Sequence, residues 1–176
     1  MTDPQTIILE TERLILRRLT LDDLDALFAL YRDPEVRRYF PEGTLTYEET
    51  KEELEWIIDF QYGQHGFGLW ATIHKETGKF LGRCGLIPWT IEGYSEVEVA
   101  YLLDKAYWGQ GLATEAALAI VDYAFEQLQL PRLICMFYPE NTASANVARK
   151  MGMTFEKELE DEKGPYMLYS RNKATT

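Results

Sequence analysis

The segment from Gly109 to Phe125 leaves this chain few architectures. After two glycines, Leu112, Ala116, Ala119, Ile120 and Tyr123 repeat at helical spacing on one stripe, and Leu118, Val121 and Phe125 form a second. One apolar stripe makes a surface helix; a helix apolar over two must be packed on more than one side. It belongs inside a layered domain. Upstream, Leu69 to Lys75, Phe80 to Trp89 and Glu96 to Leu103 have the composition of strands, separated by Thr77-Gly78-Lys79 and by Glu92-Gly93-Tyr94-Ser95. Short breaks of that kind predict an antiparallel meander feeding the helix.

The remaining segments fit the same picture. Leu14 to Leu19 is a short apolar run that predicts a strand. Thr20 and Asp23 open a helix whose apolar positions, Leu24, Leu27, Phe28 and Tyr31, stop at Asp33-Pro34. Thr46 and Glu49 form a capping box before a second helix with Leu54, Ile57, Ile58 and Tyr62 on one stripe, which Gly63 to Gly68 is expected to break. Leu133 to Tyr138 reads as a buried strand, Thr142 to Met151 as a short helix, and Thr154 to Leu159 with Tyr166 to Ser170 as a closing strand pair. The order β-α-α-β-β-β-α-β-α-β-β predicts an α/β sandwich of mixed strand direction. No repeat or linker interrupts it, so residues 1–176 read as a single domain with its core at about 12–171.

Charge narrows the partners. Eighteen Lys and Arg against 29 Asp and Glu leave a formal net charge of −11. Such a surface repels phosphate backbones and anionic lipid, which speaks against nucleic-acid or membrane-surface binding and favours a cationic partner. Cys84 and Cys135 lie far apart in strand-like surroundings, with no metal-ligand spacing to each other or to His65 and His74, so neither a disulfide framework nor a metal site is expected. The N-terminal residues carry no signal-peptide pattern and no run approaches a membrane span. A reduced, cytoplasmic protein is the expectation.

The chemistry concentrates where the third meander strand meets the long helix. The first turn of a helix leaves backbone N–H groups unpaired at the positive end of the macrodipole, and glycine lets an anion approach them. Gly109, Gly111 and Ala113 keep that approach open, and the amides of Gln110 to Thr114 would face a phosphate or pyrophosphate. A tight turn with no ligand is the plainer alternative. A P-loop is disfavoured because no Lys follows Gly111 in this helix, and a dinucleotide fingerprint because Thr stands at position 114 and the unit follows a meander.

Trp108-Gly109-Gln110-Gly111-Leu112-Ala113, running on through Thr114-Glu115-Ala116, resembles the acetyl-CoA loop of the GCN5-related N-acetyltransferase (GNAT) superfamily, in its ribosomal-protein Nα-acetyltransferase-like branch, of RimJ and RimL type. The stretch from Asn141 through Ser144, Asn146 and Lys150 to Gly152-Met153 resembles the second family motif at the expected distance. The resemblance covers about Glu12 to Arg171. It implies a mixed, mostly antiparallel sheet splayed at a cofactor cleft, with helices on both faces. It also implies that acetyl-CoA is the cosubstrate, with no metal. Tyr101, Leu102 and Leu103 would hold pantetheine through their backbone; Gly109, Gln110, Gly111, Leu112, Ala113 and Thr114 would take the pyrophosphate. Asn141 would contact the pantetheine arm, and Ser144 or Asn146 the region near the thiol. Asn141 and Ser144 are equally suited to capping the short helix.

The reaction so implied is direct transfer of acetyl to a primary amine, on a protein N-terminus or a small cationic molecule. It needs a base for the ammonium and a proton for the thiolate. Glu98 stands where the family has its strand glutamate and is the candidate base; Glu96, on the same strand face, reads as solvated. The family's usual tyrosine acid is replaced by Ala148, which leaves Ser144 as the candidate donor, or else solvent, since a thiol pKa of about 8.5 makes the proton demand modest. Acceptor selection is expected from Arg37 to Pro41, Gln64 to Phe67, Pro88 to Thr90 and the acidic run Glu158 to Glu162, itself either a solvated hairpin or an electrostatic funnel. The missing tyrosine keeps a non-catalytic acyl-CoA-binding module as a rival reading. A monomer or homodimer is expected.

Overall fold

The computed structural model describes residues 6–175. Eight strands form one sheet: β1 (Ile7–Glu10), β2 (Leu14–Arg18), β3 (Leu69–His74), β4 (Phe80–Ile91), β5 (Tyr94–Leu103), β6 (Arg132–Phe137), β7 (Thr154–Asp161) and β8 (Gly164–Asn172). Their spatial order is β1-β2-β3-β4-β5-β6-β8-β7. The helices are α1 (Leu24–Tyr31), α2 (Tyr47–Trp56), α3 (Leu112–Glu126) and α4 (Thr142–Lys150). The meander, both closing strands and the four helices follow the expected order. Strand β1 carries no alternation of its own and is held by pairing with β2, a tertiary cause that local pattern does not reveal.

All neighbouring strands are antiparallel except β5 and β6. Strand β5 pairs with β4 from Tyr94 to Leu103, but its parallel register with β6 consists of Glu98 opposite Ile134 alone. The sheet is therefore splayed along the second half of β5.

Helices cover both faces of the sheet. Trp70, Cys84 and Tyr101 form one cross-strand row. Trp70 meets Tyr123 of α3 edge to face at 5.6 Å, and the Tyr101 hydroxyl donates to the Ser144 carbonyl of α4 at 3.1 Å. The adjacent row, Ala71, Arg83 and Leu102, points the other way, where Arg83 Nε donates to the Tyr31 hydroxyl of α1 at 2.7 Å. Both predicted stripes of α3 are mostly buried, through Leu112, Ala116 and Ile120 on one and Val121 and Phe125 on the other; Leu118 stays outside.

The Thr46 and Glu49 capping box forms: the Thr46 side chain accepts from the Glu49 amide at 3.2 Å and Glu49 Oε2 accepts from the Thr46 amide at 2.7 Å. The break expected over Gly63 to Gly68 falls at Gly66, three residues past the first glycine. The chain continues from α2 as a π-helical stretch, Ile57–His65, before it turns at Gly66. Two side chains clip this stretch to the start of β3. Tyr62 donates its hydroxyl to the Leu69 carbonyl, and Gln61 Oε1 accepts from the Leu69 amide at 2.9 Å. Those buried bonds outweigh the modest cost of glycine inside a helix.

Candidate active site

The loop between β5 and α3 is held open by its own bonds. Asp104 caps its first turn through the Ala106 amide at 2.9 Å, and the Trp108 indole donates to the Leu103 carbonyl at 2.9 Å. Gly109 and Gly111 have φ of +72° and +78°, a region costly for other residues. A Cβ at Gly109 would meet nothing within 4 Å. The first helical bond of α3 runs from the Glu115 amide to the Gly111 carbonyl, and no side chain caps the helix start. The amides of Leu112, Ala113 and Thr114 thus have no intrahelical acceptor, an arrangement suited to an anion.

Sequence reasoning missed the support for this loop. Arg13, in the turn before β2, donates through Nη1 to the Gln110 carbonyl at 2.9 Å and through Nε to Glu115 Oε2 at 2.7 Å. Glu115 Oε1 also accepts from the Arg13 amide and the Thr11 hydroxyl. One carboxylate in the first turn of α3 therefore binds the helix start to the β1–β2 turn and places a guanidinium beside Gly111. The signal was a 102-residue contact, invisible to local pattern.

A cavity of about 940 Å³ opens where β5 and β6 part. Its walls include Glu98, Tyr101, Cys135, Asn141 and Ser144. Strand alternation puts Glu98 and Tyr101 on opposite faces of β5, yet both line one cavity because the splay lets it pass through the sheet. Leu102 and Leu103 are buried farther along β5, and Gly109 to Thr114 lie beyond them at the head of α3.

Glu98 Oε2 accepts from the Trp89 indole at 2.8 Å, and Oε1 takes the Met136 amide at 3.4 Å. Burial pushes the carboxyl up to about 7, against the two hydrogen bonds and Arg83, which favour the ionised form. That is the range useful to a base at neutral pH. Glu96 is not solvated: it is ion-paired with Arg132 at 3.0 Å, and Arg132 also reaches Glu156 at 2.7 Å.

On the opposite wall, Tyr101 Oη lies 3.7 Å from Cys135 Sγ besides donating to Ser144. Burial, together with the nearby Cys135, raises the Tyr101 hydroxyl well above its ordinary range, so it keeps its proton. Asn141 caps α4 by accepting from the Ser144 amide at 3.2 Å while also lining the cavity. Asn146 faces outward and accepts from Arg149 at 2.9 Å, apart from the cavity wall. Ala148, where the family tyrosine would stand, is fully buried. Both cysteines are free and buried, and burial pushes their thiols up to about 11 at Cys84 and about 12 at Cys135, far from a thiolate nucleophile.

Of the segments expected to select the acceptor, Arg37 to Pro41, Pro88 to Thr90 and the tip of the β7–β8 hairpin reach the cavity. Asp161 in that hairpin also accepts from the Tyr138 hydroxyl at 2.5 Å, so the acidic run is tied to the wall. Gln64 to Phe67 does not reach it; the π-helical stretch brings Gln61 there instead.

A sheet split between two parallel strands, with an uncapped, glycine-opened helix following the first of them, is an acyltransferase architecture. Residues 13–154 match the model of the acetyltransferase (GNAT) domain, and the chain belongs to that family of N-acetyltransferases, which use acetyl-CoA. It is 36% identical over 164 residues to the uncharacterised protein YkkB of Bacillus subtilis, covering 93% of this chain and 94% of that protein. It is 34% identical to the N-acetyltransferase p20 of Bacillus licheniformis, covering 85% and 83% respectively. The fold is shared with RimL, a ribosomal alpha-N-protein acetyltransferase solved in complex with coenzyme A, with a TM-score of 0.79 at 20% identity over 95% of this chain and 98% of that one. Among the described residues no helix is long and apolar enough to cross a membrane.

Proposed function

We propose that this protein transfers acetyl directly from acetyl-CoA to a primary amine, with Glu98 as the base. The observation that carries this reading is a carboxylate with its pKa near 7 at the point where β5 and β6 part, on the wall of a cavity large enough for an acceptor. The unpaired amides at the head of α3, opened by Gly109 and Gly111, fit the pyrophosphate, and the edge of β5 at Tyr101 to Leu103 fits the pantetheine amides. When bound, acetyl-CoA supplies an activated acyl group.

Glu98, held by Trp89, takes the proton of an ammonium that enters beside it. The Tyr101 hydroxyl, fixed against the Ser144 carbonyl, is the better-placed proton donor for the departing sulfur; Ser144 then acts by holding it, and its own hydroxyl is the second candidate. Asn141 remains a candidate for the pantetheine arm because it lines the cavity as well as capping α4. With a covalent acetyl-cysteine disfavoured by the raised thiol pKa values, the amine attacks directly. The decisive experiment incubates the protein with acetyl-CoA and a panel of primary amines and follows release of free thiol. Thiol release with at least one amine, lost in Glu98→Gln, is the expected result; no release with any amine counts against the reading.

A further inference from the structure

The cavity wall on the side of α1 and α2 carries a second polar constellation that the transfer step does not use. Arg37 and Arg83 are both about 3% exposed, and both line the cavity. Their guanidinium carbons sit over the same two rings: Arg37 at 4.8 Å from Tyr31 and 4.3 Å from Phe40, Arg83 at 5.6 Å and 5.5 Å. Two like charges are thus buried side by side. Their counter-charges are meagre. Glu53 Oε1 is 3.9 Å from Arg83 Nη2, beyond hydrogen-bond reach, and accepts instead from the Tyr31 hydroxyl at 2.8 Å. Glu42, 3.4 Å from Arg37, is exposed on the rim. The direct bonds of the two guanidiniums to the scaffold go chiefly through Nε, to the Gly43 carbonyl from Arg37 and to Tyr31 from Arg83.

Gln61 adds a third donor. It is fully buried, lines the same cavity, and its Oε1 is taken by the Leu69 amide, while its Nε2 has no hydrogen-bond partner among the described residues. An amide N–H left unpaired inside a protein costs about 1–3 kcal/mol, so such a group is normally satisfied by something. Its place in a π-helical stretch is where local irregularity often serves a site.

The sheet between this constellation and Glu98 carries no large side chain: Ala100 lines the cavity, and the Gly68 and Leu69 backbone covers Gly85. On the face toward α1 and α2, β4 presents Arg83, Gly85 and Ile87 opposite Leu102, Ala100 and Glu98 of β5. The row between Arg83 and Glu98 therefore consists of Gly85 and Ala100. No larger residue fits at 85, since a Cβ there would come within 2.1 Å of the Gly68 carbonyl oxygen. The two ends of this trough lie four residues apart along the strands, about 13 Å of backbone.

Two buried guanidiniums whose carboxylate partners are one loose and one exposed, an orphaned amide lining the same cavity, and a base beyond them along the strands describe a molecule with two ends. We propose that the Arg37, Arg83 and Gln61 end is a carboxylate subsite, and that the amine accepted at Glu98 belongs to an amino acid whose reacting amine lies on its side chain, several bonds from the carboxylate. This rests on the transferase reading and names its substrate class. It also refines the inference from net charge: the acceptor brings a cation to Glu98 and an anion to the buried arginines.

The test compares pairs that differ only by the carboxylate, L-lysine with cadaverine and L-ornithine with putrescine, by thiol release from acetyl-CoA. The wild-type protein should show a KM for the amino acid at least about tenfold below that of its decarboxylated partner, in keeping with a charge-assisted contact. Gln61→Glu keeps the acceptor for the Leu69 amide but removes the free donor and adds a negative charge, so the KM ratio should fall to about one. Arg83→Gln should do the same, and circular dichroism checks that each variant is folded. Equal KM values within each pair for the wild-type protein, or a preference that survives in Gln61→Glu, overturns the proposal. If no amine is acetylated, titration calorimetry with L-lysine and cadaverine separates the two ideas. Binding of lysine alone, lost in Gln61→Glu, upholds the subsite while the transferase reading fails; binding of neither, or of both alike, overturns the subsite.

Discussion

The Trp89 indole donates to Glu98 Oε2 across 2.8 Å, from one strand to the next and on the cavity side of the sheet. This bond opposes the effect of burial on the ionisation of the proposed base. Burial raises the Glu98 carboxyl to about 7, and the indole holds it from rising further. Plotted against pH, kcat/KM should therefore climb as pH rises through about 7, because the ionised carboxylate is the active form. Trp89→Phe removes a donor that favours ionisation and should move that limb up by about half a unit to one unit. Glu98→Gln should lower kcat by about 10²–10⁴ while CoA affinity, read by calorimetry, stays unchanged.

The same carboxyl has an effect on stability whose sign is fixed. Its folded pKa lies above the ordinary 4.5, so the native state binds the proton more tightly than the unfolded chain does. Its contribution is complete at pH below the ordinary carboxylate range and is lost as pH rises toward 7. Glu98→Gln is neutral throughout and should melt about 2–6 °C above the wild-type protein at pH 8, with the difference vanishing near pH 4. Thermal melts at the two pH values check this.

Gly111→Glu places a side chain at φ +78° and a carboxylate at the head of α3. The strain costs about 1–2 kcal/mol, which a folded domain of this size should survive, while the charge opposes a phosphate at contact distance. Calorimetry should register no CoA binding by a protein whose circular dichroism is unchanged. Retained affinity would place the pyrophosphate elsewhere.

Arg13→Met frees the Gln110 carbonyl and leaves Glu115 with only backbone and Thr11 donors. The loop should loosen, weakening CoA about tenfold, with acceptor KM unchanged. Separate titrations of the two substrates distinguish this from a general loss of stability, which would alter both.

Tyr101→Phe and Ser144→Ala identify the proton donor. Removal of the Tyr101 hydroxyl should lower kcat about tenfold or more with amines whose attack is fast, while Ser144→Ala keeps the carbonyl that holds Tyr101 and should change kcat less than threefold. The reverse order would return the role to Ser144.

What could be read along the chain was local. Thr46 and Glu49 announce a helix start that forms as drawn, and the glycines at 109 and 111 announce a turn that only glycine adopts cheaply. The two stripes of α3 require a layered domain, and the helix is indeed buried on more than one side. Each of these depends on residues within a turn or two of one another, so spacing alone carries the information. Where spacing was the only guide to a long-range fate, it failed. Glu96 looked solvated but is paired with Arg132, 36 residues away; within the break expected over Gly63 to Gly68, it was Tyr62 and Gln61, anchoring the chain to Leu69, that carried the helix as far as Gly66.

The amino-acid sequence by itself determined the element order after β1 and the anion-suited loop, because these follow from periodicity, capping and backbone geometry; Glu98 was marked out by the family resemblance. Only the tertiary structure decided that Glu98 and Tyr101 face one cavity, and that Arg13 braces the loop. It also brought Arg37, Arg83 and the unpaired amide of Gln61 to the wall of that cavity. The reason is the parting of β5 from β6 after a single register pair. That gap joins the two faces of the sheet, and it arises from how distant strands meet, a property no stretch of the chain holds alone.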